Sequence, residues 1–366
     1  MNIYIMEPEN LNRVAILNSY TAFNWNRVWG ESGYYQLWVP ITEENETYLV
    51  DENLIWPDDQ ELVGVIENTH KYVDDNGLPF MEVSGRFATD SYLSRRIIWG
   101  NCTITDVPHK VIQTLIKDNS IACTDITRRL GISISTDITV LDSVPVQSSI
   151  SYCGSYGNLW DEVKSLDTIY GLNTELRYSN IETDTPLSVV ISAGYDRSET
   201  VVLSTDLGFL TSSEYFRDST SYCNTALIAG EGEGTNRKIE TIIPSDAIQL
   251  NRRELYVDAR DLQKTETMSS SSYSDSLKQR GKQRLLDYPL YESYECSLQV
   301  TGEEGYVFGK DYFLGDTVTI VDTVLNTAVK AVVKEHLLSE DRDGKMNFLV
   351  FGVSVPTITS LINRRK

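Results

Sequence analysis

The chain has 366 residues, 41% of them hydrophobic, and its 53 acidic against 32 basic side chains give a net charge of −21. That surplus argues against a static grip on nucleic acid, which runs on lysine and arginine, and the length calls for more than one core, since single cores stop growing near ~250–300 residues. Five widely spaced cysteines without a Cys-x-x-Cys argue against a disulfide framework or zinc motif and for reduced thiols made in a cytosol.

The first hundred residues read as β. Segments 2–6, 13–18, 23–29 and 34–40 are short and rich in β-branched and aromatic types. Residues 62–72 and 79–86 flank Asp74-Asp75-Asn76-Gly77, a hairpin signal because Asn-Gly accepts the positive φ of a primed turn. Strands at this spacing imply a small barrel or sandwich. The middle changes period. Residues 108–119 place Val111, Ile112, Leu115 and Ile116 on one helical stripe behind Pro108. Residues 157–170 form a clearer helix, with Leu159, Trp160, Val163, Leu166, Ile169 and Tyr170 on one face and Gly171 as its left-handed stop. Strands at 173–178 and 187–193 complete an α+β unit.

β-character returns at Val201. Gly230, Gly232 and Gly234 suggest a phosphate-cradling loop, but the run ends in Gly234-Thr235-Asn236-Arg237 rather than Gly-Lys-Ser/Thr. The next segment, 238–243, is β-like and closes in Pro244, so no helix N-terminus follows to hold a pyrophosphate. Two strands joined by a glycine-rich bend are expected. Residues 264–276, with four consecutive serines from Ser269, read as a loop. Ser272-Tyr273-Ser274-Asp275 resembles a capping box for a helix over 273–287. That helix carries Lys278, Arg280, Lys282 and Arg284, a solvated face or a site for an anionic partner. Strict alternation from Tyr294, with further strands at 316–322, 328–338 and 346–353, builds a second β region turned at Asn326-Thr327 and Asp343-Gly344.

Four pieces of this order resemble a known family. Asn224 six residues before Gly230-Glu231-Gly232, then Arg252-Arg253-Glu254 and Val257-Asp258-Ala259-Arg260-Asp261, is the pattern of siphophage tail-tip hub proteins, also called tail-associated or baseplate-hub proteins. Asn24-Trp25-Asn26-Arg27-Val28-Trp29 before Gly33-Tyr34-Tyr35 is similar to that family's opening strands. Val83-Ser84-Gly85-Arg86-Phe87 with Arg95-Arg96 resembles its Gly-Arg element, and Leu314-Gly315-Asp316 its late strand entry. The resemblance implies a mainly β, baseplate-hub-like fold with α+β insertions. Two small β-barrel-like domains lie at 1–100 and 201–366, the second with a loop-helix insertion at about 262–290, and an α+β domain lies at 101–200. It implies a homotrimer whose six barrel domains form a ring joining a distal tail protein to a tail fibre, spike or receptor-binding protein, with a tape-measure protein inside and DNA passing without specific binding. The expected location is the tail tip of a virion. The expected source is the host cytoplasm, because the N-terminus lacks the charged and apolar stretch of a signal peptide. No run of ~18 apolar residues suggests a membrane span.

No catalytic, cofactor-binding or metal residue is assigned, and no cofactor is expected. His70, His109 and His336 lack a second histidine at metal-binding spacing, no Gly-x-Ser-x-Gly occurs, and Asp341-Arg342-Asp343-Gly344 lacks the acid that would end a calcium loop. Two other functions stay open. A tail-associated glycosidase would need two carboxylates ~5–9.5 Å apart, which the sequence cannot select. A carbohydrate-binding β protein would need a signal for secretion. Two further expectations concern charge: an ion-pair network among Arg252, Arg253, Glu254, Asp258, Arg260 and Asp261, and an acidic lining for the ring's bore.

Overall fold

The computed structural model describes residues 1–17, 19–73, 77–135, 148–179, 186–204, 210–264, 268–298 and 306–352. The first segment runs β1 (Ile3–Met6), β2 (Arg13–Leu17), β3 (Ala22–Val28), β4 (Tyr34–Pro40), α1 (Glu43–Tyr48), β5 (Leu54–Pro57), β6 (Gly64–Val65), β7 (Asn68–Val73), β8 (Pro79–Arg86) and α2 (Ala88–Leu93). The middle holds β9 (Asn101–Asp106), α3 (Pro108–Ile116), β10 (Ile132–Ile134), β11 (Ile150–Ser155), α4 (Leu159–Tyr170), β12 (Leu172–Tyr178) and β13 (Leu187–Ala193). The remainder is β14 (Val202–Ser204), β15 (Leu210–Asp218), β16 (Thr225–Ala229), β17 (Ile239–Ile242), β18 (Glu254–Asp258), α5 (Ser270–Leu285), β19 (Tyr291–Leu298), β20 (Thr317–Asp322), β21 (Thr327–Asp341) and β22 (Gly344–Gly352).

The molecule is mainly β with α+β insertions, arranged in several sheets, none of which closes into a barrel among the described residues. The main sheet has the path β15-β19-β22-β21-β3-β4-β8-β7, with β20 and β14 branching from β21. Strand β21 is 15 residues long and does two jobs. Its first part pairs with β20, and its second part, from Glu335 to Glu340, pairs with β3 from Val28 to Phe23. The sheet therefore runs through both segments that the sequence assigns to separate β domains. Period-two alternation explains its inner face: Phe23, Trp25, Tyr35, Leu37, Val39, Met81 and Val83 point one way and are buried. Tyr294, Val333, Leu349 and Phe351 continue this core under the other half.

The middle segment folds around α3 and α4 as its period predicts. Asn158 caps α4, its side-chain oxygen accepting from the amides of Trp160 and Asp161, and Gly171 ends it at φ +67°. A separate small unit packs α5 on the three-stranded sheet β17-β16-β18 through Ala226, Ile228, Val257, Tyr273 and Leu277.

Two expectations change. Residues 62–72 do not form one strand: β6 pairs with β5 in the sheet of β1 and β2, while β7 joins the main sheet. The hairpin turn at Asp74, Asp75 and Asn76 lies outside the described residues. The serine run is helical rather than a loop, because Ser269 is the cap: its hydroxyl accepts from the Ser272 amide at 3.1 Å. Alternating polarity hid this start, since the first turn has Tyr273 as its only large apolar residue.

Candidate assembly surface

The second face of the main sheet follows from the register. Opposed across the strands are Ser84, Gln36, Asn24, Ser339 and Met346 at one level, and Arg86, Tyr34, Asn26, Leu337 and Phe348 at the next. Gln36 donates to Glu82 at 3.3 Å, and Ser339 donates to Asn24 at 2.8 Å. The face is half-wet, with amides and hydroxyls between aromatic rings. By strand parity its acids are Glu82, Asp218, Glu214, Glu335 and Asp341. Among its described strand residues the basic ones are Arg86, at the end of β8 and tied to Glu67 at 2.7 Å, and Lys330 on β21, tied to Glu199 at 2.8 Å. Among the described residues the path stays open at both ends. On one side β7 has one neighbour, β8, and exposes Asn68, Thr69, His70, Lys71 and Val73; on the other β15 has one neighbour, β19.

On the opposite side of the sheet, a cleft of about 690 Å³ lies between β3, the β12–β13 hairpin and the turns around Tyr195 and Phe313. Its polar wall is a chain of ion pairs: Arg27 to Glu175 at 2.9 Å, Glu175 to Arg177 at 2.9 Å, and Arg177 to Glu61 at 3.2 Å. Burial alone would push Glu175 up; the guanidinium groups of Arg27 and Arg177 outweigh it and hold the carboxyl down at about 2. His336, also in the wall, is pushed down to about 4 by burial and so stays neutral, its Nε2 2.8 Å from Asn347 Oδ1. No local spacing announces Arg27, Glu61, Glu175 and Arg177, which come from three distant strands and loops.

Two buried carboxyls are pushed up instead. Asp167, fully enclosed, rises to about 7 by desolvation, although the amide and hydroxyl of Thr174 donate to it at 3.0 and 3.1 Å. Asp90 rises for the same reason beside Arg86. Neither lines the large cleft. Among the described residues no group of histidine, cysteine and acid side chains is arranged to hold a metal.

The sequence-selected residues fall as follows. Gly230, Gly232 and Gly234 form the bend between β16 and β17, which pair antiparallel from Ala229 and Ile239. Part of the expected ion network exists: Asp258 meets Arg237 and Arg260, each at 2.6 Å, and Arg252 meets Glu254 at 2.6 Å. Asp261 is met from α5 by Arg280 at 2.9 Å. Arg253 instead donates to the Ser219 carbonyl and lies over the Tyr222 ring. The basic face of α5 is occupied from within the chain, with Lys278 near Glu240, Lys282 over Tyr170 and Arg284 on Asp287. Asp341 and Gly344 close the β21–β22 hairpin. Cys102, Cys123, Cys153 and Cys223 are free thiols.

Comparison with solved structures places this fold among tail proteins. The prophage tail protein gp18 from Listeria monocytogenes EGD-e superposes with a TM-score of 0.57 at 13% identity, covering 100% of this chain and 98% of that one. The 43 kDa tail protein of prophage MuSo2 from Shewanella oneidensis gives a TM-score of 0.57 at 12% identity, covering 96% and 98%. A tail protein from Neisseria meningitidis MC58 gives 0.54 at 12% identity, covering 96% and 95%. No curated protein sequence matches the chain. Residues 2–353 match the family of the Siphovirus ReqiPepy6 Gp37-like protein, and the chain belongs to that family.

Proposed function

We propose that the protein is a structural subunit of a phage tail tip, a hub that assembles as a homotrimer around an axial bore. The observation that carries this reading is the main sheet: among the described residues its two edges are open, and its outer face bears five acids against Arg86 and Lys330, both of which are paired to acids. Unpaired edge strands are templates for pairing with another chain. Cyclic closure satisfies both edges at once, β7 of one copy beside β15 of the next. The acidic face then lines the bore and repels duplex DNA, so the duplex stays centred and slides. A distal tail protein stacks on one end of such a ring. A fibre, spike or receptor-binding protein hangs from the other, and the end of a tape-measure protein sits inside until release. On this reading the subunit resides in the virion and acts by shape and charge rather than by bond chemistry.

The test is mass and shape. Light scattering at high concentration and moderate salt is expected to give about three times the chain mass of 41.4 kDa, and images of the particle to show a closed ring. A strictly monomeric mass with no ring rules the proposal out, as does tight binding of duplex DNA by the ring at physiological salt.

A further inference from the structure

We infer that the cleft behind the main sheet binds a neutral saccharide. Its volume of about 690 Å³ falls in the range of small-molecule sites, roughly 300–1,000 Å³. Two features of its walls define the ligand. The first is an aromatic platform. Tyr195 and Phe313 are 51% and 45% exposed, and both line the cleft.

The backbone beneath them is fixed by one buried carboxylate. Asp316, 2% exposed, accepts from the Tyr195 amide at 2.8 Å, the Phe313 amide at 3.0 Å and the Arg197 guanidinium at 2.6 Å. The same guanidinium lies 5.4 Å from the Tyr195 ring centre and 6.0 Å from that of Phe313. Rings on a backbone fixed before a ligand arrives lose less freedom on binding. Trp29 and Phe308 extend the apolar surface.

The second feature is compensated charge. Facing the rings, Arg27 pairs with Glu175, Arg177 with Glu175 and Glu61, and Lys345 with Asp59 at 3.1 Å. Each of these charges has an opposite neighbour, so a phosphate or other anion finds no surplus cation and meets carboxylates. A neutral ligand is not penalised in this way. Paired carboxylates and guanidinium groups keep spare lone pairs and N–H groups, which suit the closely spaced hydroxyls of a sugar. Asn173 and Asn347 add amide groups on the same side. The C–H faces of a pyranose ring then lie on the aromatic platform, whose negative ring faces attract polarised hydrogens. A pyranose oligomer combines these two surfaces, apolar on its ring faces and hydroxylated on its edges.

The experiment titrates the full chain with maltotriose, cellotriose, chitotriose and mannotriose, and with a trimer of glucuronate as the charged comparison, by calorimetry and ligand-observed NMR. At least one neutral trisaccharide is expected to bind and the glucuronate trimer to bind at least tenfold more weakly. Tyr195→Ala and Phe313→Ala are expected each to weaken binding at least tenfold. Tyr195→Leu, which keeps apolar bulk, is expected to do the same with the thermal transition unchanged. Trp99→Ala, at an exposed ring outside the cleft, is expected to leave affinity as it was. Absence of binding across the neutral panel, a preference for the charged trimer, or full affinity in a folded Tyr195→Leu protein overturns the inference. These readouts use the single chain and are independent of whether it forms a ring.

Discussion

Glu175 and Asp167 show two carboxyls of one fold pushed in opposite directions. Glu175 is held at about 2 because two guanidinium groups outweigh its burial. A folded value below the unfolded one contributes stability above about pH 4.5, and that stability is lost as pH falls through about 2. Glu175→Gln leaves Arg27 and Arg177 without their shared partner. Breaking such a buried set costs about 3–5 kcal/mol, so urea midpoints at pH 7 are expected to fall sharply, and the gap from the parent protein to shrink at pH 2–3. Asp167 is raised to about 7 by desolvation. Here the sign reverses: the folded state holds the proton more tightly, so stability is lost as pH rises from about 4 to 7. Asp167→Asn mimics the protonated form, with the Thr174 hydroxyl turning to accept. Its midpoint relative to the parent protein is expected to be higher at pH 8 than at pH 4, and an equal difference at both values would reject the assignment.

At the scale of single elements, α5 and β7 are the informative cases. The helix start was legible only in part, because four serines in a row offer four possible caps. The structure selects Ser269, so Ser269→Ala is expected to cost about 1 kcal/mol and lower the melting temperature. Ser272→Ala, whose hydroxyl meets another hydroxyl rather than the orphan amides, is expected to change it little. Equal effects would return the cap to Ser272. For β7, alternate amides face β8 and the open edge. Of Thr69→Pro and His70→Pro, one removes a donor from the existing ladder and the other from the free side. The free-side variant is expected to keep its thermal transition and yet run as a monomer; trimeric mass in both variants would refute edge pairing.

The whole molecule carries 21 net negative charges per subunit, which oppose any association of copies. Screening acts within about 10 Å at 0.1 M salt. The proposed trimer is therefore expected to strengthen between about 0.02 M and 0.3 M salt, and a trimer that dissociates as salt rises would show that ion pairs rather than backbone pairing hold it. Much of this architecture was readable from the chain. Residue composition and spacing locate β4 and β13 to the residue, and Gly171 ends α4 where the sequence places its stop. What alternation does not contain is partner choice. Nothing local in Phe23 to Val28 says that it will bond to Glu335 to Glu340 rather than form a barrel with its own neighbours. The cleft was hidden for the same reason, since its ion pairs and aromatic platform are assembled by strand order and not by spacing.

The pairing of β3 with β21 also sets a clock. A ribosome adds ~5–20 residues per second, and the two strands are separated by roughly 300 residues, so the first waits some 15–60 s for its partner to be made. During that interval Trp25 and Phe23 have the rest of their cluster, Ile3, Ile5, Ile55 and Phe87 among it, but lack Leu338, and the future centre of the sheet is an edge. Contacts of this sequence range slow folding, and a bare edge invites pairing with another nascent chain. In the proposed trimer, ring closure therefore has to follow completion of each subunit: a nascent chain that met a neighbour too early would offer it the wrong strand.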